Sequence, residues 1–160
     1  MLVSDTAILI TLELGGLLEA MFSCGITMVV PDLVYQRDFE NHNGPYLRKL
    51  GLGVVALSSE ELSLAQSINS QRWGLSLTEC FSMAYAFNLG ISLVSNNIRI
   101  HNAAIKYDGT VYGLLWLLDR MDESGLPKQL LLDSLTTIHK HPRHHLPKDE
   151  VKVRLSKWSL

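Results

Sequence analysis

Short apolar runs alternate along the chain with longer stretches whose apolar positions recur every three or four residues. The first run, Leu2–Ser4, closes on Asp5 and reads as a buried strand. Asp5 or Thr6 then caps a helix from Ala7 to about Phe22, with Gly15 and Gly16 as a weak point inside it. Gly25 breaks the chain, and the β-branched run Ile26–Val30 is a second strand ended by Pro31. Pro31 suits the first turn of a helix that passes through Asp38 to about Asn41, where Asn43-Gly44-Pro45 stops it. A short helix over Tyr46–Leu50 leads to a third strand, Gly53–Leu57.

The second half repeats the alternation. Ser58-Ser59-Glu60-Glu61 starts a helix with an acidic first turn, running to about Arg72. Ser76-x-x-Glu79 fits a capping box, and Cys80, Met83, Ala84 and Phe87 fall on one helical stripe behind it. Gly90 ends that helix, Ile91–Ser95 is a fourth strand, and Ile98 to about Tyr107 is the next helix. Thr110–Tyr112 is a fifth strand, followed by helices from Gly113 to about Glu123 and from Lys128 to Lys140. The Pro-, His- and Arg-containing remainder, 141–160, is expected as a loosely held extension.

Strands alternating with helices predict an α/β fold, a three-layer α/β/α sandwich around a central parallel sheet of four or five strands. Right-handed crossovers bring the carboxyl ends of parallel strands to one edge, where ligands of such folds collect. Asp5 follows strand one, Asp38 lies in the helix after strand two, Glu79 opens the helix before strand four, and Asn97 follows strand four. All four can therefore point at one crevice.

At 160 residues, with 47% hydrophobic and 19% charged side chains, the chain has the makeup of a globular domain. No apolar run approaches the roughly 20 residues a membrane helix needs. The start, Met-Leu-Val-Ser-Asp, lacks the basic region of a signal peptide, so a cytoplasmic protein without membrane contact is expected. Cys24 and Cys80 have apolar neighbours and read as reduced core thiols. The net charge of −2 conceals an asymmetry: residues 1–138 carry eight Lys and Arg against fourteen Asp and Glu, residues 139–160 six against two. Such a tail suits contact with nucleic acid or another chain, or simply a solvated terminus. Its histidines, His139, His141, His144 and His145, read as a polar tail rather than a metal site, and His42 and His101 as surface residues.

Each candidate residue has a structural reading. Asp5, Asn96 and Asn97 suit helix caps, Glu79 the capping box, and Asp38 a solvated helix face. Together they suggest more, because carboxylates gathered without a basic residue cannot all stay ionised unless a cation sits among them. Oxygen ligands of this type suit Mg²⁺ or Mn²⁺. Other phosphate chemistries are not encoded: there is no G-x-x-x-x-G-K-[ST], and neither Gly15-Gly16 nor Gly51-Leu52-Gly53 makes a dinucleotide fingerprint.

The order and spacing of V-S-D-T (3–6), V-V-P-D-L-V-Y-Q-R-D (29–38), L-S-L-T-E-C-F-S-M-A-Y-A (75–86), L-V-S-N-N-I-R-I (93–100) and V-Y-G-L-L-W-L-L-D (111–119) resemble the PIN domain family of metal-dependent ribonucleases. The resemblance covers roughly residues 1–125 and implies a PIN-like domain over 1–140, with the basic extension at 141–160. It implies RNA as substrate, one or two Mg²⁺ or Mn²⁺ ions, and catalytic Asp5, Asp38, Glu79 and Asn97, with Asp5, Glu79 and Asn97 as metal ligands and Thr6 and Ser95 in support. The Y-G-L-L-W-L-L-D segment resembles a subgroup found as toxins of toxin–antitoxin pairs, which implies an antitoxin protein as partner and a homodimer. The Leu-rich segments Leu114–Leu118 and Leu130–Leu135 suit such an interface or the core.

Two positions depart from the family pattern. The second family acid is a Glu, and its register here offers Asp38; a one-residue slip puts Arg37 in the site instead. Asn97 stands where the family has Asp, keeping a carbonyl oxygen but losing the charge. The alternative is thus a catalytically impaired PIN-like domain acting as an RNA- or protein-binding module. A third reading is an unrelated α/β binding domain.

Overall fold

The strands of this chain carry apolar side chains at successive positions, the pattern of strands covered on both faces. In the computed structural model, which describes residues 1–144 and 146–160, they are β1 (Leu2–Ser4), β2 (Met28–Pro31), β3 (Gly53–Val55), β4 (Ser92–Val94) and β5 (Val111–Tyr112). They form one all-parallel sheet in the order β3-β2-β1-β4-β5, with Val3 at the centre in register with Val29 and Leu93.

Because neighbouring strand residues point to opposite faces, the core divides into two layers. Met28, Val30 and Val94 join one cluster with residues of α1 (Thr6–Leu14), α2 (Leu18–Ser23), α3 (Asp32–Asp38), α4 (Gly44–Leu50), α8 (Leu114–Glu123) and α9 (Lys128–Lys140). Val3, Val29 and Leu93 face the other, built with α5 (Ser59–Ser70), α6 (Leu77–Leu89) and α7 (Ile98–Lys106). The predicted three-layer α/β/α sandwich is the fold observed, with five strands. Among the described residues no helix is long and apolar enough to cross a membrane. Cys24 and Cys80 are free thiols, and burial pushes Cys80 up to about 11.

Two expectations are revised. The helix expected over 7–22 is broken into α1 and α2. Gly16 takes a left-handed φ of +70°, and a Cβ on Gly15 would sit 2.8 Å from Ile138 Cδ1, so the break lets α9 approach closely. Of the two readings of the Leu-rich segments, core packing holds for Leu114, Leu117, Leu118, Leu131 and Leu135, which are fully buried.

The second revision concerns the tail. The tail from 148 to 158 is not loosely held, since Lys148–Trp158 forms α10, a helix packed on α9. Val151 and Trp158 enter the first core cluster, with Leu146 and Leu155 packed against it. Arg154 grips Asp119 through Nε at 2.9 Å and Nη2 at 2.7 Å, while Lys157 Nζ lies 3.3 Å from Asp122. The basic side chains of the tail are thus partly spent on acids of α8.

Candidate active site

The backbone brings the site together at the carboxyl edge of the sheet. The Asp5 amide donates to the Val94 carbonyl at 3.0 Å and the Ser95 amide to the Tyr112 carbonyl at 2.8 Å, so Asp5 and Ser95 leave β1 and β4 side by side. Asp5 occupies the N-cap position of α1, yet its side chain makes no capping bond to that helix. The carboxylate is instead 7% exposed and accepts from the Ser95 hydroxyl at 2.8 Å.

Asp5, Asp38, Glu79 and Asn97 all line one cavity of about 540 Å³, with Thr6 beside them. The register of α3 is therefore the one that offers Asp38, and Arg37 does not line the cavity. The Thr6 hydroxyl donates to Asp38 Oδ2 at 2.7 Å, linking α1 to α3. Glu79 has two roles. Its Oε1 accepts from the Ser76 amide at 2.9 Å and the Ser76 hydroxyl accepts from the Glu79 amide at 3.1 Å, completing the expected capping box. Its Oε2 accepts from Asn97 Nδ2 at 2.8 Å.

Asn97 makes two contacts at the cavity's edge. Its carbonyl oxygen accepts from the Arg99 amide at 3.0 Å and caps α7, while its amide group faces Glu79. It stands as a hydrogen-bond donor to the Glu79 carboxylate. The reason is local: an N-cap oxygen is turned back to the helix, which leaves the NH₂ for the cavity.

Burial pushes Asp5 up from 3.8 to about 6, against the lowering effect of the Ser95 bond, and the negative charges of Glu79 and Asp38 push the same way. Among the described residues no three His, Cys, Asp or Glu side chains are grouped to hold a metal ion between them. The three carboxylates line one shared space. That donor chemistry fits a cation that keeps part of its water shell, as Mg²⁺ does.

Sequence reasoning missed several neighbours. His101 Nε2 donates to the Ser95 carbonyl at 2.7 Å, bracing the end of β4 rather than standing free on the surface. Arg143, His144 and Leu146, from the connection between α9 and α10, also line the cavity. Only the positive balance of the tail hinted at them. Leu146 and Asn96 border as well a second cavity of about 370 Å³, which Trp116 and Arg154 help to line. Of the tail histidines expected as polar, His145 lies outside the described residues.

A family model described as a PIN domain matches residues 1–159. The chain belongs to the PIN domain family. No curated protein matches it. The PIN match reaches through α10, which agrees with the packing of that helix on the core. A PIN domain is a nuclease-type fold, and the acidic cavity lies where such an α/β fold presents its ligands.

Proposed function

We propose that this PIN domain is a metal-dependent endoribonuclease that hydrolyses RNA phosphodiesters, with Asp5, Asp38 and Glu79 holding a partly hydrated Mg²⁺ or Mn²⁺, in part through its water, in their shared cavity. The observation that carries this reading is Asp5. A buried carboxylate that forgoes its helix-capping role and sits with two further acids weakens the fold unless a ligand uses it. When bound, the cation supplies charge neutralisation at the phosphate and lowers the pKa of its water.

The chain's own residues hold the acids in position. Ser95 orients Asp5, Thr6 orients Asp38, and the Ser76 amide and Asn97 fix Glu79. Each of these carboxylates therefore keeps its place without a cation, and the negative cavity repels RNA phosphate until one arrives. RNA as substrate, a toxin role with an antitoxin partner, and a homodimer rest on the resemblance of the motif segments. The buried leucines no longer support the homodimer.

With millimolar Mn²⁺ or Mg²⁺ the purified protein is expected to cut single-stranded RNA, and Asp38→Asn to cut it about 10–100-fold more slowly. Gel analysis of a labelled RNA reads both. If neither the wild-type chain nor Asn97→Asp cleaves in either metal, the enzyme reading fails.

Asn97 itself favours a second reading, an impaired PIN-like domain that binds RNA or protein without cutting. Its amide occupies Glu79 where a family Asp would add a charge. Asn97→Asp replaces a donor by a carboxylate at a 2.8 Å contact, so Mn²⁺ affinity by calorimetry is expected to rise about tenfold or more. An unchanged affinity would mean that position 97 does not contribute to the cation site.

A further inference from the structure

We propose that Arg143 is a phosphate contact for the RNA, presented to the acidic cavity by the connection between α9 and α10. The inference rests on the reading of the cavity as an RNA-cutting site. Arg143 supplies the cavity lining with its one Arg or Lys among the described residues, beside Asp5, Asp38 and Glu79. Although it shares this space with acids, its guanidinium forms no ion pair among the described residues. Two basic side chains of α10, Arg154 and Lys157, are by contrast bound to Asp119 and Asp122. Arg143 is thus the cation that the fold places at this cavity without an ion-pair partner among the described residues.

Its backbone is held in place. The Arg143 amide donates to His141 Nδ1 at 3.3 Å, and the His144 amide donates to the His141 carbonyl at 3.2 Å. His144 Nδ1 lies 3.4 Å from the Thr11 hydroxyl on α1. Leu146 packs on the core just beyond, and α10 anchors the far end. An exposed guanidinium on a backbone held at His141 and His144 is a preorganised phosphate site, because the planar fork of Arg matches two phosphate oxygens at once. The cation at the acids and Arg143 then serve different phosphates of one strand, which would run over Leu146 toward the second cavity.

The test uses the full chain carrying Asp5→Asn, which binds without cutting, and a short fluorescein-labelled single-stranded RNA read by anisotropy. Arg143→Ala in this background is expected to weaken binding about tenfold and to reduce the slope of log affinity against log salt by about 0.7. Arg143→Lys is expected to recover the salt slope but only part of the affinity, with the melting temperature of all variants unchanged. Unaltered affinity and slope in Arg143→Ala overturn the proposal, as does an affinity loss matched by a fall in melting temperature in both variants. Binding is read without cleavage, so the two readings fail separately. An Arg143 effect in a chain that cuts no RNA sinks only the nuclease reading, and cleavage without an Arg143 effect sinks only this one.

Discussion

Trp158→Ala is expected to destabilise the protein by about 3–5 kcal/mol, the range for truncating a large buried aromatic. Trp158 is 2% exposed, and it enters the first core cluster from the last turn of α10. Val151 shares that burial, so α10 is held by two apolar anchors rather than by its charges. The Arg154–Asp119 pair, with side chains 19% and 29% exposed, is bidentate but reaches solvent, and Arg154→Ala should cost only about 1 kcal/mol. Urea unfolding of both variants checks the order, provided the dependence on urea stays the same. A change below about 1 kcal/mol for Trp158→Ala would mean that α10 opens apart from the core. It would also remove the support for a held backbone at Arg143.

The contrast between α10 and the rest of the chain explains what the sequence could reveal. Strands such as Met28–Pro31 and helices such as α6 announce themselves by local pattern: an apolar run ended by Pro, a capping box, a stripe ended by Gly90. In α10 the apolar Val151, Leu155 and Trp158 are scattered among Lys, Arg, Asp and Glu, and the acids that neutralise the basic face come from α8. Likewise the break after Leu14 depends on Ile138, which no local reading of Gly15 contains. The candidate site was legible because topology alone carries Asp5, Asp38, Glu79 and Asn97 to one edge. What topology does not carry is orientation. Asp5 makes no side-chain capping bond to its helix, and Asn97 spends its oxygen on one. Arg143 enters from a connection with no periodic signal at all.

In the absence of a divalent cation, Asp5→Asn is expected to be more stable than the wild-type chain at neutral pH, by up to about 3 kcal/mol. The sign follows from the Asp5 pKa, which folding raises from 3.8 to about 6. Between these values the folded state binds more protons than the unfolded one, so stability falls as pH rises through that window. Above it the full penalty of a buried, ionised carboxylate facing Glu79 and Asp38 is present. Asn removes the charge and keeps an oxygen for the Ser95 hydroxyl, so its advantage should be complete near pH 8 and gone below about pH 4. Thermal melts in a chelating buffer at those two pH values measure this directly. Saturating Mn²⁺ should then reverse the order, because a ligand that binds only the folded wild type adds stability in proportion to the logarithm of its concentration. If Asp5→Asn gains nothing near pH 8, burial of Asp5 does not strain the fold. If both chains gain equally from Mn²⁺, the cation binds elsewhere, and Asp5 loses its part in the proposed chemistry.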